Sequence, residues 1–333
     1  MNPQEPLDVP LIAKVDFLTK ASTYPDHPTG VEAIETHMSW VFLTNRHAYK
    51  LKKPVVFDFL DYRTIDARRR CCDAEVTLNR QLAPGVYLGT VPLTLAKNER
   101  LGLHGDGVVV DWLVQMRRLP LEQRLDACIS TARVDRQCLA DALGRLFSSY
   151  QDARNERLPA SAYRSRLEIA IQRNEAALEI LDQRQVIERQ HGFLKDQFGR
   201  IADRPAFVID AHGDLRPEHI YLLDPPVIVD RLEFNRDLRL LDPLDELAFL
   251  AIECERLGAG WIGDFGFEWY REHTGDQTSL ALIAFYKSLR ACMRARLALG
   301  HLFEPLHEKN SPWFRLAEHY AATALDQAAD MTV

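Results

Sequence analysis

The sequence predicts an α+β fold: a small N-terminal part with an antiparallel sheet and one main helix, and a larger, mostly helical C-terminal part. Short β-rich runs separated by turn residues dominate the first third of the chain. After Pro120, apolar residues recur at helical spacing, and strand-like runs interrupt this pattern between residues 206 and 230. We therefore predict two parts, residues 1–117 and residues 118–333, with the Asp-bearing loops in the second.

The N-terminal part contains a predicted β-hairpin in MSWVFLTNRHAYKLKKPVVF, where a polar turn at residues 45–46 joins two β-rich runs. The main helix follows. Thr64 is a plausible N-cap residue, and IDARRRCCDAEVTLNRQL continues as a helix until Pro84 and Gly85 end it. Strand patterns then return, with a Gly-rich turn at residues 102–107.

The C-terminal part begins with helical patterns in VDRQCLADALGRLFSSYQ and in the long region 161–200. Three short runs of strand type follow, AFVID, IYLLD and PVIVD. From Asp245 onward the pattern is helical again. This order predicts a helical part that contains a short β-insert.

Composition and charge narrow the class of protein. The apolar fraction of 47% and the charged fraction of 27% are typical of a soluble globular protein. A net charge of −7 argues against nucleic acid as the main partner, because phosphate backbones bind basic surfaces. The sequence shows no signal-peptide pattern, no stretch near the roughly 20 apolar residues of a membrane span, and no CxxC pair. We expect a cytoplasmic protein without membrane or nucleic-acid partners, and its oligomeric state is left open.

Two acidic residues, Asp214 and Asp230, each follow a short apolar run in the segment 208–235. Phosphoryl transfer needs a positioned nucleophile, divalent cations and positive charge on the transferring group. The two carboxylates can supply a base and a metal ligand, and Arg216 can neutralise charge on the phosphate. Alternatively, both Asp residues form turns, as Asp does before Pro225 in LLDPP.

A strand Lys and a helix Glu form a second candidate pair. In RHAYKLKKP, strand alternation places Lys50 on the same face as Ala48, so that a flat ring can pack over the Ala beside the Lys. Glu75 lies at the edge of a partly apolar helix stripe, where a carboxylate requires a cationic partner. The alternative is that Lys50, Lys52 and Lys53 are solvated charges of an edge strand and that Glu75 faces water.

The order of these features along the chain is that of a kinase fold: strand Lys, helix Glu, linker, helices, an Asp-bearing loop and a second Asp. HGDLRPEHI, VIVDRLEF and DPLDELAFL resemble the aminoglycoside phosphotransferase and choline-kinase superfamily, whose loop reads His-Gly-Asp-Leu-His-x-x-Asn. ETHMSWVFLTNRHAYKLKKPV, CCDAEVTLNRQLAP and VVVDWLVQMRRLP resemble an uncharacterised bacterial group within it. Some members of that group carry an extra P-loop ATPase domain, which we expect to be absent here because no GxxxxGK[ST] occurs.

This resemblance implies a two-lobed protein-kinase-like fold that binds ATP through its N-terminal part. Lys50 would hold the α- and β-phosphates, with Ala48 two residues before it, and Glu75 would pair with Lys50. Gln115 and Met116 would form the linker against the adenine.

For the C-terminal part, the resemblance implies that Asp214 accepts or orients the proton of the substrate hydroxyl. Asp230 would be the main ligand of Mg²⁺. Arg216 occupies the position at which protein kinases place a Lys on the γ-phosphate.

The sequence departs from the family pattern at two points. ETHMSWVF replaces the Gly-rich loop, so donors from Thr36 and Ser39 would have to approach the phosphates. His219 stands where Asn usually binds the second Mg²⁺. Because imidazole suits Mn²⁺ or softer metals better than Mg²⁺, His219 is a candidate metal ligand that favours Mn²⁺.

Two further sets of residues have open roles. Asp242 and Asp245 in DPLDELAFL are expected to support the loop structurally, since such residues often cap helices. Arg290 and Arg294 lie four residues apart on one helix face. Together with the nearby Arg296, they either bind an anionic substrate or line the cleft, or they are solvated or pair with neighbouring carboxylates.

The sequence therefore predicts an ATP- and divalent-metal-dependent phosphotransferase that acts on a hydroxyl of a small molecule. One alternative is a nucleotide-binding pseudokinase with a regulatory or scaffold role, favoured by His219 and the glycine-free loop. Another is a kinase-like enzyme that transfers AMP to its acceptor. The sequence does not identify the acceptor.

Overall fold

The computed structural model describes residues 9–57, 59–152, 158–197, 204–277, 279–300 and 311–332. The chain divides into two compact units. The first unit runs up to Gln123 and also contains Pro225–Asp237, the segment that carries Asp230. The second unit comprises Arg124–Asp224 and the chain from Leu238 onward.

Among the described residues, the first unit contains two α-helices and most of the strands. Its described elements are α1 (Leu11–Leu18), β1 (Glu32–Glu35), β2 (Ser39–Leu43), β3 (His47–Lys52), β4 (Val56–Phe57), β5 (Leu60–Asp61), α2 (Ile65–Leu82), β6 (Tyr87–Leu95), β7 (Leu101–Leu103), β8 (Val108–Arg117) and β11 (Val227–Ile228). Six strands form one antiparallel sheet in the order β1-β2-β3-β8-β6-β7.

The predicted alternation of side chains along β3 is confirmed. Tyr49 and Leu51 enter an apolar core that also contains residues of α1, β2, β6 and β8. The other face of β3 carries Ala48 and two lysines, whose ammonium groups reach carboxylates. Strand β3 therefore separates an apolar core from a charged cluster.

Helix α2 begins and ends where the sequence predicts. The side chain of Thr64 accepts a hydrogen bond from the backbone N–H of Ala67 at 3.1 Å, which satisfies one free donor of the first turn. The helix stops at Leu82, two residues before Pro84. Gly85 follows with a φ of 76°, a left-handed conformation that glycine adopts without strain.

The second unit is mostly helical. Its described helices are α3 (Leu125–Ser130), α4 (Arg136–Asp152), α5 (Ala160–Ile180), α6 (Arg184–Gln197), α7 (Pro243–Arg256), α8 (Trp261–Thr274), α9 (Leu280–Gly300) and α10 (Pro312–Ala329). Its strands are β9 (Ile209–Asp210), β10 (Ile220–Tyr221) and β12 (Leu240–Leu241), and β9 pairs with β12 in antiparallel fashion. Helix α9 packs against α5, α7 and α10. The predicted α+β fold class, with a sheet in the N-terminal unit and a helical C-terminal unit, is confirmed.

Two local features are less regular than the sequence pattern suggests. The helical region 161–200 is divided within its described residues, because Asp182 adopts a left-handed φ of 56° between α5 and α6. In AFVID, only the last two residues form a strand, and a short 3₁₀ helix at Arg204–Phe207 precedes it. In the parts of the chain that the structure describes, no helix is long and apolar enough to cross a membrane.

Candidate active site

The first unit brings three predicted residues together around the ammonium group of Lys50. Lys50 Nζ donates to Glu75 Oε1 at 3.0 Å and to Asp230 Oδ1 at 2.8 Å. Glu75 is fully buried on α2, so the alternative in which it faces water is wrong. Three elements distant in sequence thus place one lysine between two carboxylates.

The charge state of Lys50 follows from these partners. Burial lowers the pKa of Lys50, but the carboxylates of Asp230 and Glu75 outweigh burial and raise this pKa well above its ordinary value. These carboxylates therefore favour the positively charged form of Lys50.

A second lysine of β3, Lys52, belongs to the same cluster. Lys52 Nζ donates to Glu75 Oε2 at 2.6 Å and also to Glu233 Oε1. Glu233 accepts a further hydrogen bond from Tyr62 Oη at 3.0 Å. The interpretation of Lys52 as a solvated charge is wrong, because its side chain is buried. The two-residue spacing of Lys50 and Lys52 was the signal that both lysines face α2.

The backbone around Asp230 is held by α2 and β6. Asp230 has a φ of 63°, an uncommon conformation for a residue other than glycine. Its N–H donates to Tyr87 Oη at 3.0 Å. The side chain of Asn79 accepts from the N–H of Arg231 at 2.9 Å and donates to the carbonyl of Arg231 at 3.3 Å. These contacts stabilise a strained loop, and such strain is typical of functional sites.

Asn79 and Tyr87 were not predicted from the sequence. Asn79 lies one helical turn after Glu75 and therefore on the same face of α2, a spacing that contained the signal. The contact of Tyr87 with residue 230 is between residues 143 positions apart, for which no local pattern exists.

The predicted adenine and phosphate-loop residues lie on neighbouring strands. Ala48 of β3 pairs in register with Met116 of β8, and Gln115 Nε2 donates to Tyr49 Oη at 3.0 Å. Ser39 lies at the start of β2. Its N–H donates to Thr36 Oγ1 at 3.0 Å, and its carbonyl accepts from that hydroxyl at 2.9 Å. The Thr36 hydroxyl is thus engaged in a tight turn in this structure.

In the second unit, three predicted residues form one short loop. Asp214 Oδ1 lies 3.1 Å from Arg216 Nε. His219 Nδ1 lies 2.7 Å from the backbone carbonyl of Asp214, and its Nε2 lies 3.3 Å from Arg216 Nη2. Because a carbonyl only accepts, Nδ1 carries a proton and Nε2 is left to accept from Arg216. His219 therefore connects the two other residues of the loop.

The backbone just before Asp214 is held by Glu246 of α7. The carboxylate of Glu246 accepts from the N–H of His212 at 3.0 Å and from the N–H of Gly213 at 2.5 Å, and also from the hydroxyl of Tyr150. Gly213 has a φ of 88°, which favours glycine. Burial raises the pKa of Glu246. Glu246 was not predicted to contact this loop.

The remaining candidates of the second unit have structural partners. Asp242 caps α7 by accepting from the N–H of Leu244 at 2.9 Å. Asp245 forms a two-bond pair with Arg290 at 2.7 and 2.9 Å, and Arg294 Nε lies 2.6 Å from a Glu253 carboxylate oxygen. The interpretation in which these arginines pair with neighbouring carboxylates is confirmed.

Within the described ranges, no three His, Cys, Asp or Glu side chains converge as a ready metal-binding group. Asp230 supplies a carboxylate that is 44% exposed. Mg²⁺ in kinases takes one or two protein carboxylates and completes its coordination with phosphate oxygens and water, so a single exposed carboxylate fits this type of ligand set.

Three solved structures resemble this chain over nearly its whole length. A choline/ethanolamine kinase family protein from Mesorhizobium loti has 14% identity and a TM-score of 0.51, with 94% of each chain covered. The GDP complex of aminoglycoside 2′-phosphotransferase-IIIa has 14% identity and a TM-score of 0.51, covering 96% of this chain and 98% of that one. Choline kinase from Cryptosporidium parvum has 8% identity and a TM-score of 0.57, with 96% of each chain covered. At these identities the likeness concerns the fold.

Sequence comparison finds uncharacterised proteins of Mycobacterium bovis and Mycobacterium tuberculosis. They are 34% identical to this chain over 305 residues, which cover 85% of it. The chain spans only 58% of the length of these relatives. No family model matches the chain.

Proposed function

Because the chain has the fold of the aminoglycoside phosphotransferase and choline-kinase superfamily, we propose that it is an ATP- and divalent-metal-dependent phosphotransferase. The acceptor in this proposal is a hydroxyl of a small molecule. The shared fold supports the superfamily resemblance of the sequence motifs. The observation that carries the proposal is the contact of one strand lysine, Lys50, with both a helix Glu and a loop Asp.

In the first unit, Lys50 is the proposed phosphate anchor. Its contact with Asp230 is an ion pair with a half-exposed carboxylate, so phosphate oxygens can replace that carboxylate as the partner of the ammonium group. Glu75 orients Lys50. The adenine is proposed to lie against Ala48 and Met116, which pair in register on the face of the sheet that carries Lys50. The side chain of Gln115 bonds Tyr49 on the opposite face, so its proposed contact with the adenine is through its backbone.

Ser39 is proposed to face the phosphates, since its strand pairs in register with the end of β3. No Gly-rich loop precedes it, and the Thr36 hydroxyl is already bonded to the Ser39 backbone. Ser39 is only 3% exposed, so in this proposal its hydroxyl reaches a phosphate only if the turn moves when the nucleotide binds.

Asp230 and His219 are the residues proposed to hold the divalent cation, which when bound offsets the negative charge of the phosphates. The Nε2 atom of His219 faces Arg216 at 3.3 Å, so ligation by His219 requires Arg216 to turn away. This requirement and the preference of imidazole for softer metals lead us to expect that Mn²⁺ supports binding at least as well as Mg²⁺.

In the loop of the second unit, Asp214 is the proposed acceptor of the hydroxyl proton, and Arg216 neutralises charge on the transferring phosphate. The 3.1 Å pair between their side chains keeps base and cation side by side. The buried Glu246 fixes the backbone that precedes them, so the loop is preorganised for chemistry.

Thermal unfolding with ATP and with Mg²⁺ or Mn²⁺ tests this function. We expect ATP to raise the melting temperature only when a divalent cation is present, and Asp230→Ala to abolish that metal dependence. Asp214→Ala should retain the ATP shift but lower ATP turnover by about 10²–10⁴-fold, the usual contribution of a general base. Asp264→Ala, an exposed position on α8, is the control.

Absence of an ATP shift with either metal would contradict the proposed ATP site. An ATP shift that keeps its metal dependence in Asp230→Ala would contradict the metal assignment. Wild-type protein that binds ATP but shows no turnover with any hydroxyl compound would favour the pseudokinase alternative instead.

A further inference from the structure

The carboxylate of Glu75 has two lysine partners, one on each oxygen. Lys50 Nζ lies 3.0 Å from Oε1, and Lys52 Nζ lies 2.6 Å from Oε2. The proposed function uses only the first of these pairs. One cation is enough to neutralise the charge of one buried carboxylate, so the second lysine needs its own explanation.

The two lysines differ in exposure and in their second partner. The side chain of Lys50 is 16% exposed, and its other carboxylate, Asp230, is 44% exposed. The side chain of Lys52 is 1% exposed, and its other carboxylate, Glu233, is 6% exposed. One lysine thus belongs to an accessible pair whose partner can be exchanged, and the other to a sealed pair.

Exchange of partners at Lys50 has an electrostatic consequence for Glu75. When Lys50 turns from Asp230 toward a phosphate, its hold on Glu75 weakens. A buried carboxylate without a cation is strongly unfavourable. Lys52 remains on the other oxygen of Glu75 and prevents that situation.

Lys52 also connects β3 to the loop that carries Asp230. Its second partner, Glu233, lies three residues after Asp230 and is held as well by Tyr62. The position of the loop thus depends on Lys52 and not only on Lys50.

We propose that Lys52 is a positioning residue: it keeps Glu75 and Glu233 in place while Lys50 exchanges the Asp230 carboxylate for phosphate oxygens. This inference rests on the proposed function, because the exchange requires a nucleotide. It assigns no contact between Lys52 and the substrate.

The first test measures stability without nucleotide, using urea unfolding of Lys50→Met, Lys52→Met and the double variant. Lys50→Met should lower the unfolding midpoint less than Lys52→Met does. In Lys50→Met, both Glu75 and Glu233 still have Lys52 as their cationic partner, whereas Lys52→Met leaves Glu233 without it. The double variant should lose more free energy of unfolding than the two single variants lose together, because Glu75 then has neither lysine as a partner. Additive losses would overturn the proposal that Lys52 holds Glu75 independently of Lys50.

Lys53→Met is the control, since Lys53 is the next residue, pairs with Glu35, whose side chain is 55% exposed, and has neither Glu75 nor Glu233 among its described partners. Its midpoint should stay near that of the wild type. If Lys52→Met does not fold, Lys52→Met/Glu233→Gln replaces it, because this variant removes both charges of the sealed pair.

The second test measures the Kd of ATP with Mg²⁺ by calorimetry. Lys52→Met should raise this Kd about tenfold, which corresponds to about 1.4 kcal/mol, and should raise the Mg²⁺ concentration needed for binding. Lys52→Arg should restore most of the affinity, and Lys53→Met should match the wild type. An unchanged Kd in a Lys52→Met protein of lowered stability would show that Lys52 is only structural.

The two tests separate the two hypotheses. If the wild type binds no ATP, the proposed function fails, and the stability measurements alone decide whether Lys52 holds Glu75. If the wild type binds ATP and Lys52→Met binds it equally well, the positioning role fails and the proposed function stands.

Discussion

In the first unit, charged side chains from separate elements join the candidate residues to one another, whereas in the second unit the charged pair lies within one loop. Both loops are also held through their backbones, by Tyr87 and Asn79 at residues 230–231 and by Glu246 at residues 212–213. Lys50 reaches Asp230 across 180 positions of sequence and Glu75 across 25. In the second unit, Glu246 bonds two backbone N–H groups, and the charged side chains of Asp214 and Arg216 pair within the loop itself.

This difference indicates different physical roles. Ion pairs between side chains can exchange partners with a charged ligand at little cost, because each group keeps an opposite charge. A backbone bonded to a buried carboxylate cannot move without exposing unpaired N–H groups, which are costly when buried. We infer that the side-chain ion pairs of the first cluster adapt to the ligand on a fixed backbone, while the second loop presents a fixed geometry.

Of the substitutions proposed here, the one that disturbs the contact of Glu246 with the loop backbone should lower the free energy of unfolding most. In Glu246→Gln, an NH₂ group faces a backbone N–H at one of the two positions where the carboxylate accepts. We expect a loss of about 2–3 kcal/mol in the free energy of unfolding, the cost of a buried unsatisfied donor beside a charged acceptor site. Urea unfolding measures this loss.

Glu255→Gln on the same helix is its control, because Glu255 is 48% exposed and pairs only with Lys287 in the contacts described for it. That variant should change the free energy of unfolding by less than about 0.5 kcal/mol. Equal losses in the two variants would mean that Glu246 does not anchor the loop.

Loss of the sealed pair between Lys52 and Glu233 should lower the free energy of unfolding by a smaller amount, and this amount should depend on pH. Burial raises the pKa of Glu233, but Lys52 and Lys50 outweigh burial, so this pKa lies below its ordinary value of 4.5. The ionised carboxylate therefore stabilises the folded state fully above pH 4.5, and this contribution is lost as the pH falls through the folded pKa. Glu233→Gln should lower the free energy of unfolding by only about 1–2 kcal/mol at pH 7, because the amide oxygen of Gln still accepts a hydrogen bond.

Urea unfolding of the wild type and Glu233→Gln across a pH series measures this contribution. The difference between the two proteins should be constant above pH 4.5 and shrink at lower pH. A difference that grows as the pH falls would contradict the sign given to the Glu233 pKa.

Local features of the fold could be read from the sequence. Thr64 as N-cap residue, the end of α2 before Pro84 and the alternation along β3 all depend on neighbours within a few residues. The fold class followed from the same local patterns, because strand and helix periodicities differ.

The partners of the candidate residues were harder to predict. The pairing of Lys50 with Glu75 was expected from the family resemblance, whereas the contact of Lys50 with Asp230 was not predicted. The contacts of Lys52 with Glu233 and of Glu246 with the loop join residues 181 and 33–34 positions apart. Pairing of buried charges at such separations depends on the folded backbone, and composition or periodicity does not contain it.

Removal of the N-cap of α2 should lower the free energy of unfolding least. It tests whether the cluster around Lys50 depends on the first turn of this helix. Glu75 and Asn79 both lie on α2, so fraying at its first turn should weaken stability more than ligand binding. Thr64→Ala removes the hydrogen bond to the N–H of Ala67 and should lower the free energy of unfolding by about 1 kcal/mol. Thr77→Ala, an exposed position on the same helix, should lower it by less than about 0.5 kcal/mol. Because Glu75 lies about three turns beyond the cap, the Kd of ATP should stay within about twofold of the wild type in both variants. A larger rise in Thr64→Ala would mean that the charged cluster follows every movement of α2, and that its ion pairs are less adaptable than we infer.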